Sequence, residues 1–274
     1  MDINQKKIGI IGTGNMGEAL IRGLIEFAKL NSANLYASDI DERKLNAIKE
    51  QYHIQVYLTN DNLLKLVDII IIAVKPQHIE EILREISLQD KKYELIISIA
   101  AGIETSMIEN SIKKPIPVIR VMPNICATVN AAVSALCKGK YATDESFQAA
   151  KKIFESIGPQ VVEVNEALMD VVTGLSGSGP AYIFLAIEAL SDAGVLLGLP
   201  RDISTILAAQ TTLGAAKMVL ETDLNPATLK NKVTSPGGTT IQGIFALEKQ
   251  RFRAALIDAV KAATTRSKEL RLKK

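Results

Sequence analysis

The stretch Lys6 to Gly23, KKIGIIGTGNMGEALIRG, constrains the fold more than any other part of this chain. Ile8, Ile10 and Ile11 form a short apolar strand, and Gly12, Gly14 and Gly17 follow at the spacing G-x-G-x-x-G. Ala19, Leu20 and Leu24 then recur at helical spacing. In a strand, turn and helix of this kind the first glycine permits a tight turn. The second lets backbone approach a pyrophosphate, and the third lets helix and strand pack closely. The helix start supplies free N–H groups and a positive dipole end. A second candidate strand, Asn34 to Ser38, ends at Asp39. That is about 20 residues past the third glycine, where a dinucleotide site places its ribose partner. The pattern therefore reads as a dinucleotide-binding turn, with a plain strand-to-helix turn as the alternative.

At 274 residues the chain is long enough for one large domain or two of ordinary size. A net charge of +2, with no basic block before the tail Arg266 to Lys274, excludes an electrostatic nucleic-acid footprint. That tail reads as a solvated helix end. The longest unbroken apolar runs, Ile69 to Val74 and Ala181 to Ile187, fall short of the roughly 20 residues that cross a bilayer. MDINQKK lacks the layout of a secretory signal, so a soluble cytoplasmic protein without a membrane partner is expected. Cys126 and Cys137 lack metal-ligand spacing and read as reduced thiols. His53 and His78 are isolated, so no metal site and no Ser/His/Asp triad is expected.

Strands and helices alternate up to about Val164, the layout of a helix-covered parallel sheet. Candidate strands are Ile8 to Ile11, Asn34 to Ser38, Asp68 to Val74, Glu94 to Ile99, Pro117 to Met122 and Gln160 to Val164. Ligands in such sheets bind beyond the carboxyl ends of the strands, which singles out Ala73-Val74-Lys75-Pro76 and Ile99-Ala100-Ala101-Gly102. From Asn165 the pattern becomes helical: Tyr182 to Leu197, Asp202 to Leu220, Ala227 to Val233, Thr240 to Lys249 and Phe252 to Leu270, with Asn225-Pro226 as a cap and first position. The expected fold class is α/β, a Rossmann-type doubly wound sheet domain (residues 1–164) followed by an all-helical domain (residues 165–274).

Two segments of the helical half stand out. TGLSGSGPAY, Thr173 to Tyr182, precedes a helix whose start is apolar on nearly every side. Such a helix must be buried all round, which a domain of about a hundred residues cannot do alone, so a second subunit is expected. TSPGGTTIQ, Thr234 to Gln242, reads either as an anion receptor with the N–H groups of Thr239 and Thr240 outward, or as a helix cap closed by a threonine hydroxyl.

Read together, GTGNMG, AVKP, AAG, RVMPN, TGLSGSGPAY and VTSPGGTT make the chain resemble the pyrroline-5-carboxylate reductase family over nearly its whole length. The resemblance implies a small-molecule substrate, with L-1-pyrroline-5-carboxylate reduced to L-proline by hydride from a nicotinamide cofactor. It also implies a homodimer interlocked through the helical domain, with the active site between the domains, and further assembly into a higher homo-oligomer such as a decamer. Cofactor positions fall on Gly12, Thr13, Gly14, Asn15, Met16 and Gly17, on Ser38 and Asp39, on Asn60, on Ala73, Val74, Lys75 and Pro76, and on Ile99, Ala100 and Ala101. Substrate positions fall on Glu166, Ser235, Gly238, Thr239 and Thr240, and Thr173 is the catalytic position, bonding the ring nitrogen or relaying a proton. Glu166 also reads as an acidic first-turn residue that favours a helix dipole.

The cofactor is NADP or NAD. Asp39 suits an unmodified ribose, whereas Ser38 with Arg43 or Lys44 suits a 2′-phosphate, and the common use of NADP by relatives tips the reading that way. The stretch departs from the family after Met122-Pro123, where Asn124-Ile125-Cys126 stands, and Lys232 stands where some relatives carry asparagine. A dehydrogenase acting on a 3-hydroxy acid is the rival enzyme reading, but TGLSGSGPAY lacks the lysine such enzymes use. A scaffold that has lost its chemistry is the rival outside enzymes.

Overall fold

A computed structural model describes residues 1–272; Lys273 and Lys274, the end of the basic tail, lie outside the described residues. Eight strands form one sheet: β1 Ile8–Ile11, β2 Leu35–Ser38, β3 Gln55–Tyr57, β4 Ile69–Ile72, β5 Leu95–Ser98, β6 Val118–Met122, β7 Val133–Lys138 and β8 Gln160–Glu163. Their spatial order is β3-β2-β1-β4-β5-β6-β7-β8. The first six are parallel, β7 runs antiparallel to β6, and β8 runs parallel to β7. β3 and β7 were not expected from the sequence. β3 has only three residues at the sheet edge, and β7 carries serine, alanine and cysteine where a strand signal needs β-branched residues.

Period-two alternation builds two cores from the same strands. Ile8, Ile10, Ile69, Ile71, Leu95 and Ile97 enter one core, while Ile11, Ile70, Ile72 and Ile96 enter the other. Helices α1 Asn15–Glu26 and α2 Glu42–Tyr52 give Leu20, Leu24 and Ile48 to the first core. Helices α3 Asn60–Leu64, α4 Ile79–Leu88 and α5 Thr105–Ile112 give Leu64, Leu83 and Ile108 to the second. Helix α6 Asp144–Glu155, opened by a Thr143 capping box, closes the first core with Ile153 and Phe154. Each fully buried isoleucine contributes about 1.5–3 kcal/mol, so burial on both faces holds the sheet centre rigid.

Beyond Glu163 the described residues contain no strand. α7 Met169–Val172 runs into a π-helical segment, Thr173–Gly177, and then come α8 Gly179–Leu196, α9 Arg201–Glu221, α10 Pro226–Lys232, α11 Thr239–Lys249 and α12 Phe252–Leu272. Asn225 caps α10 through Thr228 N, with Pro226 at its first position. The chain divides into two compact units, Met1–Gly177 with the described residues from Ala263 onward, and Ser178–Ala262.

In the second unit α8 and α9 pack through small residues. A Cβ on Gly194 would lie 2.0 Å from Ser204 Oγ, and that hydroxyl donates to Ser191 O at 2.7 Å. The rest of α8 is largely bare, with Phe184 61% and Leu185 67% exposed. Length and composition give a different measure from unbroken apolar runs. Glu166–Leu196 and Arg201–Glu221 are long and apolar enough to cross a membrane, with mean hydropathy 1.3, because their few polar and charged residues interrupt the runs without lowering the average much.

Candidate active site

The first βα turn is built as its glycines require. Gly12 has φ +97°, a left-handed conformation that disfavours any side chain, and a Cβ on Gly17 would lie 2.0 Å from Gly12 O. Gly14 is the N-cap of α1 with no side-chain cap bond, and a Cβ there would meet nothing within 4 Å. The first N–H groups of α1 therefore open onto free space, as an anion cradle needs. A cavity of about 840 Å³ lies along this turn. It is lined by Gly12, Gly14, Ser38, Asp39, Asn60, Ala73, Val74 and Lys75 among the expected cofactor residues. Thr13, Asn15, Met16, Gly17, Pro76, Ile99, Ala100 and Ala101 do not line it. Ile99 nevertheless sits in register with the cradle, its N–H donating to Ile72 O at 3.1 Å, as Ala73 N–H does to Ile11 O at 2.8 Å.

Asp39 holds the turn rather than standing free. Its Oδ2 accepts from Thr13 N at 2.6 Å and from Thr13 Oγ1 at 2.9 Å, and its Oδ1 accepts from Asp41 N at 3.0 Å. Burial pushes this carboxyl upward, but the N–H groups of Thr13 and Asp41 with the Thr13 hydroxyl outweigh it and hold it below the usual range.

In the first unit Glu166 does more than face a dipole. Its carboxylate accepts from Thr105 N at 2.8 Å and Thr105 Oγ1 at 2.7 Å, and pairs with the buried Arg120 Nη1 at 3.3 Å. Thr173 opens the π-helical segment and its Oγ1 donates to Met169 O at 2.8 Å. Such π segments are frequent at functional positions. Asn124 ties the segment to the divergent loop, donating through Nδ2 to Ser176 O at 3.3 Å while its side chain caps the turn Ile125–Val129. Asn124 closes the RVMPN motif and opens the divergent stretch in the sequence, but was not among the expected site residues. Its polar side chain before a small-residue turn was the available signal. Cys137 is buried, and burial pushes its thiol up to about 12, leaving it unreactive.

In the second unit, Gly238 is the N-cap of α11, without a side-chain cap bond. This overturns the cap reading, in which a threonine hydroxyl closes the helix start. Gly237 at φ +70° makes the turn, and Gly238 N–H donates to Ser235 O at 3.1 Å. The helix start at Thr239 and Thr240 is therefore left without a side-chain cap, with two threonines at its first positions.

A parallel sheet in this strand order, with an uncapped helix start behind a glycine turn, defines the Rossmann-type dinucleotide-binding class. Comparison with known proteins narrows it. A sequence profile for "NADP oxidoreductase coenzyme F420-dependent" matches residues 7–102, and one for "Pyrroline-5-carboxylate reductase dimerisation" matches residues 166–270. The pyrroline-5-carboxylate reductase of Methanosarcina acetivorans is 48% identical over 98% of this chain and 99% of its own length. That of Arabidopsis thaliana is 42% identical over 96% and 95%. Among solved structures, the enzyme of Coxiella burnetii superposes with a TM-score of 0.90 at 36% identity, covering 97% of this chain and 98% of that one. The enzyme of Plasmodium falciparum with NADP bound gives 0.87 at 33% identity, covering 98% and 100%. The chain belongs to the pyrroline-5-carboxylate reductase family.

Proposed function

We propose that this chain reduces L-1-pyrroline-5-carboxylate to L-proline with NAD(P)H, the last step of proline synthesis. The reading is carried by one observation. A chain alike to these reductases along its whole length keeps both uncapped helix starts, α1 behind the glycine turn and α11 behind Ser235 to Gly238. The cradle fits a dinucleotide, because nothing lies within 4 Å of where a Cβ at Gly14 would stand, so backbone there is open to a pyrophosphate.

When bound, the reduced nicotinamide supplies the hydride. The turn from Gly12 to Gly17 holds its pyrophosphate, Ser38 and Asn60 take the adenosine ribose, and Ala73 to Pro76 with Ile99 to Ala101 form a wall of backbone and small side chains. The N–H groups and hydroxyls of Thr239 and Thr240, with Ser235 and Gly238, hold the substrate carboxylate. Thr173 donates its hydroxyl hydrogen bond to Met169 O and keeps lone pairs, which suit the N–H of a protonated ring imine. An imine that arrives protonated needs no enzymic acid, so Thr173 orients the ring more than it relays a proton. Glu166, bound to Thr105 and Arg120, is the further substrate position.

The same reading divides labour at about Asn165, with residues 1–164 for the dinucleotide and residues 165–274 for substrate and dimerisation, since the dimerisation profile begins at residue 166. The apolar helices α8 and α9 belong against a second copy, and dimers assemble further, toward a decamer, in the cytoplasm.

The test is direct. Purified protein given pyrroline-5-carboxylate and either NADPH or NADH forms proline in step with cofactor oxidation. Cofactor oxidation without proline, or none with either cofactor, overturns the assignment.

A further inference from the structure

The cavity contains a hydrogen-bond relay that the glycine turn does not explain. Ser38 Oγ donates to Asn60 Oδ1 at 2.7 Å, and Asn60 Nδ2 donates to Glu85 Oε2 at 2.6 Å. All three side chains line the cavity, and Ser38 is buried at the end of β2. The direction of the relay is fixed from one end. A carboxylate has only acceptors, so Asn60 must turn its amide hydrogens toward Glu85. Its carbonyl then faces Ser38, whose single hydroxyl proton must go there. What Ser38 has left for the cavity is lone pairs.

Its neighbour makes the same offer. Asp39 accepts three hydrogen bonds from Thr13 and Asp41, and its remaining capacity is again that of an acceptor, with negative charge. Lys44 lines the same cavity, with its ammonium 3.9 Å from Asp41. A ribose hydroxyl brings a proton to such a wall. A 2′-phosphate brings acceptors and charge.

We propose that Glu85 is a positioning residue for cofactor selection: acting through Asn60 it fixes Ser38 as an acceptor, and thereby biases this end of the cavity toward an unphosphorylated ribose. The proposal rests on the dinucleotide reading above and adds to it a residue on α4 that the glycine motif does not contain.

Calorimetric titration of the full-length protein with ADP-ribose and with 2′-phospho-ADP-ribose tests it without turnover. Glu85→Gln can present hydrogens to Asn60, which lets the amide turn and the Ser38 proton point into the cavity. The affinity ratio then moves toward the phosphorylated ligand by roughly tenfold or more, the size of one hydrogen bond gained at a charged group. Glu85→Asp, still acceptor-only, keeps the ratio near that of the wild type. In a Ser38→Ala background the effect of Glu85→Gln disappears, because the relay has lost its end.

A merely structural Glu85 predicts both affinities falling together with the ratio fixed, and that result overturns the proposal. So does a Glu85→Gln effect that persists at full size in Ser38→Ala, which assigns it to charge acting through space. Failure of both ligands to bind wild-type protein sinks the dinucleotide reading itself, and this proposal with it.

Discussion

Thr173 shows how one hydrogen bond at a single residue selects among mechanisms. Its hydroxyl proton is directed at Met169 O, so a ligand finds an acceptor there. Thr173→Val keeps the shape and removes the acceptor. Turnover is expected to fall roughly tenfold, with a smaller change in substrate KM, if the proposed bond is to a charged ring nitrogen. Initial rates with saturating cofactor measure this, and unchanged turnover refutes the role. Asp39 carries a different prediction. Its native carboxyl titrates below the unfolded value of about 3.9, so its contribution to stability is complete above that value and vanishes as pH falls through the lower native one. Urea midpoints of wild type and Asp39→Asn should differ most near neutrality and converge in acid. Equal midpoints at every pH contradict the bonds drawn here. The glycine turn and the position of Asp39 after the second strand were legible in the sequence from spacing together with the strand and helix around them. The link from Asp39 to Thr13 was not, since it spans 26 positions and depends on the direction the turn takes.

At the scale of elements, one carboxylate ties three pieces of the first unit together. Glu166 follows β8, Thr105 is the first residue of α5, and Arg120 lies on β6 with 4% of its side chain exposed. Glu166→Ala removes the carboxylate from beside a buried guanidinium, and a loss of about 2–4 kcal/mol in unfolding free energy is expected. Glu166→Gln, which keeps an oxygen for Thr105, loses less. Chemical denaturation with an unchanged m-value checks this, and a Glu166→Ala protein as stable as wild type excludes the tie. Hydrophobic periodicity marked β1 at Ile8–Ile11, α12 from Phe252 and α11 within one residue of its start at Thr239, while α8 begins at Gly179, three residues ahead of the expected Tyr182. It could not mark β7, whose small side chains lack a strand signature, or the π-helical turn at Thr173–Gly177. An i→i+5 segment differs from an α-helix in hydrogen bonding and not in composition.

For the whole molecule the question is what covers α8 and α9. Phe184, Leu185, Ile206 and Leu213 are each more than half exposed, far more apolar surface on one helix pair than scattered exposure explains. A bilayer and a second copy are the two solvents that such a surface accepts. Glu188 and Asp192 on α8 and Lys217 on α9 favour the copy, because each charge placed within a membrane costs about 2.5–3.5 kcal/mol or more, and the profile across this region describes dimerisation. Protein purified without detergent should therefore scatter light as a dimer or a multiple of dimers at micromolar concentration. Leu185→Glu places a charge where the partner packs, and should lower the mass to that of the monomer or leave the protein insoluble, with loss of activity in either case. A soluble monomer of full activity, or protein recovered only from the membrane fraction, overturns the assembly. The sequence could pose this question, since an apolar helix start that no single domain can bury is visible in Tyr182 to Ile187. It could not show that the surface would continue across α9, where Ser204, Thr205, Gln210 to Thr212 and Lys217 break every apolar run while the helix as a whole stays apolar.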